Sequence, residues 1–236
     1  MRPYYDDGTC VIYHGDCREA LPGLSAEVVI TDPVWPNSIF PAVRDPQQLL
    51  TDALALANVS RVVVHLGIDS DPRFLAAVPR RWPFIRLCDL DYAMPNPKGR
   101  ILYGGDVAYV FGALPRLPKG KMLIPGRVVS GRVDRSSSRG SWSGKDKRYT
   151  RSKQECYAVL EHPAPRRLDH VRWLVGWFGG ESLIDPFAGT GTTLLAAKLI
   201  GVKAIGIEIE EKYCEIAAKR LAQGALDLFG DSEQSA

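Results

Sequence analysis

Almost nothing in these 236 residues favours a metal, a disulfide framework or a membrane. The five cysteines, Cys10, Cys17, Cys88, Cys156 and Cys214, are odd in number and never form a CxxC pair. This spacing argues against a zinc site or a stapled secreted fold and for a reducing compartment. His14, His65, His162 and His170 lack ligand spacing as well, so no metal is expected. No apolar run approaches the roughly 18 residues of a membrane span. The opening MRPYYDDGTC has no signal-peptide core. Both point to a cytoplasmic protein with no membrane partner. A P-loop is also missing, because no lysine follows Gly191, which disfavours ATP hydrolysis.

Charge is ordinary in amount, small in net value and uneven in placement. The net charge is +3, but Leu114 to Lys153 holds 12 basic and two acidic residues, a local charge of +10. The remainder carries 18 basic and 25 acidic residues, or −7. A basic segment on an acidic body predicts a polyanion partner gripped by one specialised surface.

The remaining chain alternates strand-like and helix-like periods. Thr9 to His14, Glu27 to Thr31, Arg61 to Leu66, Phe84 to Leu90 and Asp106 to Phe111 read as strands. So do Ser182 to Ile184 and Val202 to Ile207. Helices are expected from near Asp16, over Asp45 to Ala57, Pro72 to Val78, Leu168 to Phe178, Thr192 to Ile200 and Glu211 to Ala222. Gly112 to Lys153 shows no apolar period, and Ser130 to Arg151 within it reads as a mobile loop. The pattern predicts a doubly wound, mostly parallel α/β sheet with a basic, loop-rich insertion.

Two segments carry chemistry. Asp185-Pro186-Phe187-Ala188-Gly189-Thr190-Gly191-Thr192-Thr193 lies between a strand and a helix, where glycines let the backbone approach a ligand. Glu208 follows Gly189 by 19 residues at the end of the next strand, the offset of an acid that holds ribose hydroxyls. Asp185 would repel a phosphate but suits an ammonium group. The reading is therefore an adenosine-type ligand with an amino-acid end. The second segment, Asp32-Pro33-Val34-Trp35, ends a strand. A carboxylate at Asp32 and the Pro33 carbonyl can accept from both N–H groups of an aromatic amine and free its lone pair for an electrophilic methyl. Trp35 offers a stacking face for a base taken out of a duplex. Read alone, Asp-Pro is also a common turn opener.

Together these segments resemble the β-type amino-group DNA methyltransferases, in which the catalytic motif comes first and the cofactor motif last. Asp32 to Trp35 is similar to that family's (D/N/S)PP(Y/F/W) motif, with Val34 in place of the second proline, and Asp185 to Thr193 is similar to its DPFxGxGTT motif. Gly206 to Tyr213 resembles the ribose-binding strand and helix, and Tyr13 to Cys17 the segment whose Asp, here Asp16, contacts the cofactor's adenine. His162-Pro163 resembles the start of an HPTQKP-like motif, after which only the basic Arg166-Arg167 is kept. The resemblance implies a Rossmann-like fold in permuted order and S-adenosyl-L-methionine as cofactor, bound through Asp16, Asp185, Phe187, Gly189, Gly191, Thr192 and Glu208. It implies DNA as substrate and methylation of adenine N6, because Asp at the first catalytic position goes with adenine and Ser more often with cytosine N4. Cytosine N4, adenine in RNA, and a weakened DNA- or cofactor-binding protein stay open as alternatives. The expected divisions are 1–112 for the catalytic half, 113–160 for target recognition, 161–223 for the cofactor half and 224–236 for a flexible tail. Nucleic acid is expected at Arg132, Arg135, Arg139, Trp142, Lys145, Lys147, Arg148 and Arg166, interleaving charge and aromatics, with a short or relaxed target sequence. The tail, Gln223 to Phe229, resembles bacterial sliding-clamp-binding peptides.

Overall fold

The structure is a computed structural model, which describes residues 1–36, 43–98, 100–117, 120–130 and 166–229. Among these, nine strands form one sheet in the order β1-β2-β9-β8-β3-β4-β6-β5-β7. The strands are β1 (Tyr5–Asp6), β2 (Cys10–His14), β3 (Val28–Thr31), β4 (Arg61–Gly67), β5 (Phe84–Lys98), β6 (Ile101–Gly112), β7 (Arg127–Ser130), β8 (Ser182–Asp185) and β9 (Lys203–Glu208). The helices are α1 (Cys17–Ala20), α2 (Pro46–Leu56), α3 (Leu168–Phe178), α4 (Thr192–Lys198) and α5 (Glu211–Phe229), with a 3₁₀ turn at Pro72–Ala77. No helix among the described residues is long and apolar enough to cross a membrane.

The centre of the sheet is parallel: β2 pairs with β9, β9 with β8, β8 with β3, and β3 with β4. Strands buried on both faces need continuous apolar runs, and Val28–Thr31 is buried throughout, as is Arg61–Gly67. Arg61 tolerates this position because its guanidinium donates to the carbonyls of Phe178 and Ala113, each at 2.7 Å. On one face α3 packs Val171, Leu174, Val175 and Phe178 into the core beside α4. On the other, Leu50 and Leu54 of α2 meet Val62, Val64 and Leu66 of β4. Asp45 caps α2 by accepting from the Gln48 amide, and Pro46 starts the helix where a missing N–H costs nothing.

Several elements differ from the sequence reading. The strands expected at Phe84 to Leu90 and Asp106 to Phe111 belong to a longer hairpin, in which β5 and β6 stay paired out to Lys98 and Ile101. Pro95 and Pro97 do not break β5 because β7 covers it only from Asp89 to Tyr92, leaving the rest an edge among the described residues. Strand β7 itself lies in a stretch without an apolar period, where no strand was expected. Its four residues are too short to show a period, and it gains its place by pairing parallel to β5. Helix α5 runs on to Phe229, since the lone Gly224 costs only about 1 kcal/mol in a run of good helix formers. The stretch at Pro72 is 3₁₀, and α4 ends at Lys198, two residues before the expected Ile200.

Candidate active site

The parallel strands end on one edge of the sheet, the carboxyl edge where open α/β sheets hold their ligands. Asp32 directly follows β3, Asp185 closes β8, and Glu208 closes β9. A cleft with about 510 Å³ of empty space, its open mouth included, is walled by Asp32, Asp185, Phe187, Gly189, Thr192 and Arg166 among others. The two segments singled out from the sequence therefore meet across the β3–β8 seam. The resemblance required this meeting, which the sequence alone did not demonstrate.

On the β8 side the geometry is set by glycine. Gly189 has φ +52° and Gly191 φ +77°, left-handed values that a side chain resists. A Cβ on Gly191 would also lie 2.7 Å from that of Ala217 in α5. Asp185 is 2% exposed and accepts from the Thr31 hydroxyl at 2.8 Å and the Phe187 amide at 3.1 Å. Burial pushes its carboxyl up to about 6, against the lowering effect of hydrogen bonds from Thr193, Thr31 and Phe187. It is a buried acid poised to gain from an incoming cation. Glu208 fastens the loop: its carboxylate accepts from the amides of Gly189 at 2.8 Å and Glu210 at 2.9 Å. Burial raises its pKa as well. Asp16 caps α1, accepting from the Arg18 amide at 2.9 Å, and its carboxylate also pairs with the Arg18 guanidinium. The neighbouring Gly15 amide donates to the Glu208 carbonyl, which brings the ends of β2 and β9 together.

On the β3 side, Pro33 is buried and Val34 half-buried. The Trp35 indole N–H donates back to Asp32 Oδ1 at 3.1 Å, closing the turn that presents the carboxylate. The ring edge lies over Gly67 at the end of β4, where a Cβ would come within 2.7 Å of it. Arg166 differs most from expectation. Placed among the nucleic-acid contacts by its charge, it instead lies inside the cleft with its side chain 11% exposed. It donates from Nε to Asp32 Oδ2 at 2.7 Å and from Nη2 to Asp32 Oδ1 at 2.9 Å, and its guanidinium carbon stands 4.2 Å from the Trp35 ring centre. Its third nitrogen, Nη1, donates to Asp106 Oδ1 at 2.9 Å. Arg132, Arg135, Arg139, Trp142, Lys145, Lys147 and Arg148, together with His162 and Pro163, lie outside the described residues.

Sequence reasoning missed Asp106. Its carboxylate, 2% exposed, also accepts from the hydroxyls of Tyr92 and Tyr103, both at 2.8 Å. His65 Nε2 is 3.5 Å away and His170 Nδ1 4.0 Å. Burial alone would raise its pKa, but His65 and the Arg166 charge hold it well below the usual carboxylate range. The same burial, with His65 nearby, pushes His170 down to about 4, so it is neutral near pH 7. Asp106 lies opposite Gly67 in the β4–β6 register, a pairing between distant segments that no local motif announces.

Comparison with known proteins gives a likeness to DNA methyltransferases. Residues 138–219 match the family of N6/N4 DNA methylases, described as DNA methylase. Over 43 residues the chain is 54% identical to the type II methyltransferase M2.LlaDCHI of Lactococcus lactis subsp. cremoris, a stretch of 18% of this chain and 16% of that protein. Over 68 residues it is 44% identical to the orphan methyltransferase M.BamHII of Bacillus amyloliquefaciens, covering 27% of this chain and 24% of the relative. The chain thus spans less than a quarter of these relatives' length. The fold is similar over a much longer span. The M1.HpyAVI–SAM complex superposes with a TM-score of 0.61 at 19% identity, covering 89% of this chain and 99% of that one. The cytosine-N4-specific PvuII DNA methyltransferase gives 0.63 at 16%, covering 100% and 91%. The resemblance to amino-group DNA methyltransferases holds in sequence over part of the chain, and the fold is that of SAM-dependent DNA methyltransferases.

Proposed function

We propose, from this likeness to the amino-group DNA methyltransferases, that the protein transfers a methyl group from S-adenosyl-L-methionine to the N6 amino group of adenine in DNA, with the base extruded. The observation that carries the reading is the single cleft walled by Asp32 on one side and by Asp185 and the Gly189 loop on the other. When bound, S-adenosyl-L-methionine would supply an electrophilic methyl on a sulfonium. The residues fit such a group. Asp185 is a buried carboxylate suited to an ammonium, the left-handed glycines leave a cradle free of side chains, and Glu208 sits where a ribose would be met.

The other half of the task is the base. Asp32 and the Pro33 carbonyl accept from the amine's two N–H groups, drawing the nitrogen away from conjugation with the ring. Holding the amine in line with the methyl supplies the remaining advantage through orientation. Trp35 provides a face on which the ring stacks, offsetting about a few kcal/mol of unstacking. Adenine is favoured over cytosine by the Asp at position 32, in keeping with the tendency among amino-group methyltransferases.

The basic segment around Arg132, Arg135, Arg139, Trp142, Lys145, Lys147 and Arg148 is proposed to grip phosphates and read a short or relaxed target, and the 1–112 and 161–223 portions to serve as catalytic and cofactor halves. The protein is placed in the bacterial cytoplasm, with a sliding clamp as a further partner through Leu226 to Phe229. Pull-down of the clamp, repeated after deletion of those residues, tests that contact. The decisive experiment for the main reading is mass spectrometry of nucleosides from DNA and RNA incubated with protein and S-adenosyl-L-methionine. N6-methyladenine in DNA is expected. N4-methylcytosine, methylation confined to RNA, or no methylation would each overturn the reading.

A further inference from the structure

Both oxygens of Asp32 are already engaged in the arrangement just described. Oδ1 already accepts from the Trp35 indole N–H and from Arg166 Nη2, and Oδ2 accepts from Arg166 Nε. The guanidinium also covers the Trp35 ring, 4.2 Å from its centre. A flat, delocalised group that presents N–H donors to Asp32 while lying on Trp35 has the features of the target base itself. We propose that Arg166 is a resident stand-in for that base, and that a nucleobase enters only by displacing it. The inference rests on the methyltransferase reading of the cleft.

Two observations make Arg166 a movable plug rather than a fixed strut. Its third nitrogen donates to Asp106 Oδ1, so the side chain keeps a buried anionic partner when it releases Asp32. Asp106 is in turn held by Tyr92 and Tyr103, and stays put as an anchor. The closed form also keeps the Asp32 carboxylate from lying half-buried and unpaired when no base is present. Because plug and base compete for one seat, the apparent affinity for DNA is the intrinsic affinity scaled by the fraction of molecules in the open form. Arg166 thus acts as a specificity-determining residue: only a planar group that stacks on Trp35 and donates to Asp32 offers what the guanidinium gives up.

The test is steady-state methyl transfer to unmethylated plasmid DNA at saturating S-adenosyl-L-methionine, comparing wild type, Arg166→Ala and Arg166→Lys. Lysine keeps the charge and supports folding should alanine fail, but it has no planar face and cannot span Asp32 and Asp106 together. Both variants are expected to show a lower KM for DNA, by about threefold or more if the closed form dominates. Millimolar guanidinium chloride should then raise the KM of each variant while leaving wild type unchanged, since the free ion refills the emptied seat. A purely structural arginine would not create that competition. A KM that stays the same or rises in both variants, or guanidinium that fails to compete with DNA, overturns the proposal. If wild type methylates the plasmid while the variants behave so, only the plug is lost; if wild type methylates nothing, the reading of the cleft fails with it.

Discussion

Thr31 donates its hydroxyl to Asp185 across the β3–β8 seam at 2.8 Å, tying the residue before Asp32 to the acid that opens the glycine loop. Thr31→Val keeps the shape and removes the donor. Hydrogen bonds to charged groups contribute about 1.5–3 kcal/mol, so a loss of that order is expected in urea denaturation near neutral pH. The loss should shrink as pH falls through about 6, where Asp185 takes up its proton.

Asp185 also sets a pH dependence for cofactor binding. Its folded pKa, about 6, lies above the ordinary 3.8, so the folded state binds the extra proton between those values. Its contribution to stability therefore falls as pH rises across that window and stays low above it. An ammonium ligand needs the ionised form. Calorimetric affinity for S-adenosyl-L-methionine should weaken below pH 6, approaching about tenfold per pH unit. Asp185→Asn should abolish that dependence and bind weakly at every pH.

Asp32→Asn retains the size of the side chain and one acceptor oxygen but loses the charge. Removing one transition-state contact of this kind costs about 10²–10³ in turnover. Tritiated-methyl incorporation should fall by that much while cofactor affinity stays near wild type. Intact incorporation would end the assignment of Asp32.

Gly191→Ala places a Cβ at φ +77°, with Ala217 Cβ only 2.7 Å away. Left-handed strain alone costs about 1–3 kcal/mol. The clash adds to it, and because the loop must shift, cofactor affinity should fall together with the melting temperature.

Asp106→Ala strips Arg166 of its buried partner and leaves the Tyr92 and Tyr103 hydroxyls unmet. Breaking a buried pair from one side costs about 3–5 kcal/mol. Because the Asp106 pKa is depressed in the folded protein, its stabilisation is present above the ordinary carboxylate range and is lost as pH falls below it. Acid unfolding of Asp106→Asn should accordingly show a shallower pH dependence than that of wild type.

The parts readable in the sequence were those with a local cause. Val62 to Val64 and Leu183-Ile184 form strands because no other setting hides such runs. Asp185 and Glu208 stand out through fixed offsets from glycines that only a tight strand-to-helix turn requires. What escaped was non-local. Asp106 is an ordinary acid in its own segment and becomes a hub only when β6 aligns with β4 and brings His65 beside it. Arg166 carries a charge that argues for solvent, and only its position between Asp32 and Asp106 turns it inward. Strand β7 owes its existence to the free edge of β5.

Some neighbours in the sheet lie far apart in the chain. Strand β2, near the start of the chain, lies beside the last strand β9, and β3 beside β8, so early and late strands are joined by hydrogen-bonded ladders. A chain cut between Ser130 and Arg166 should hold together as two pieces through those ladders.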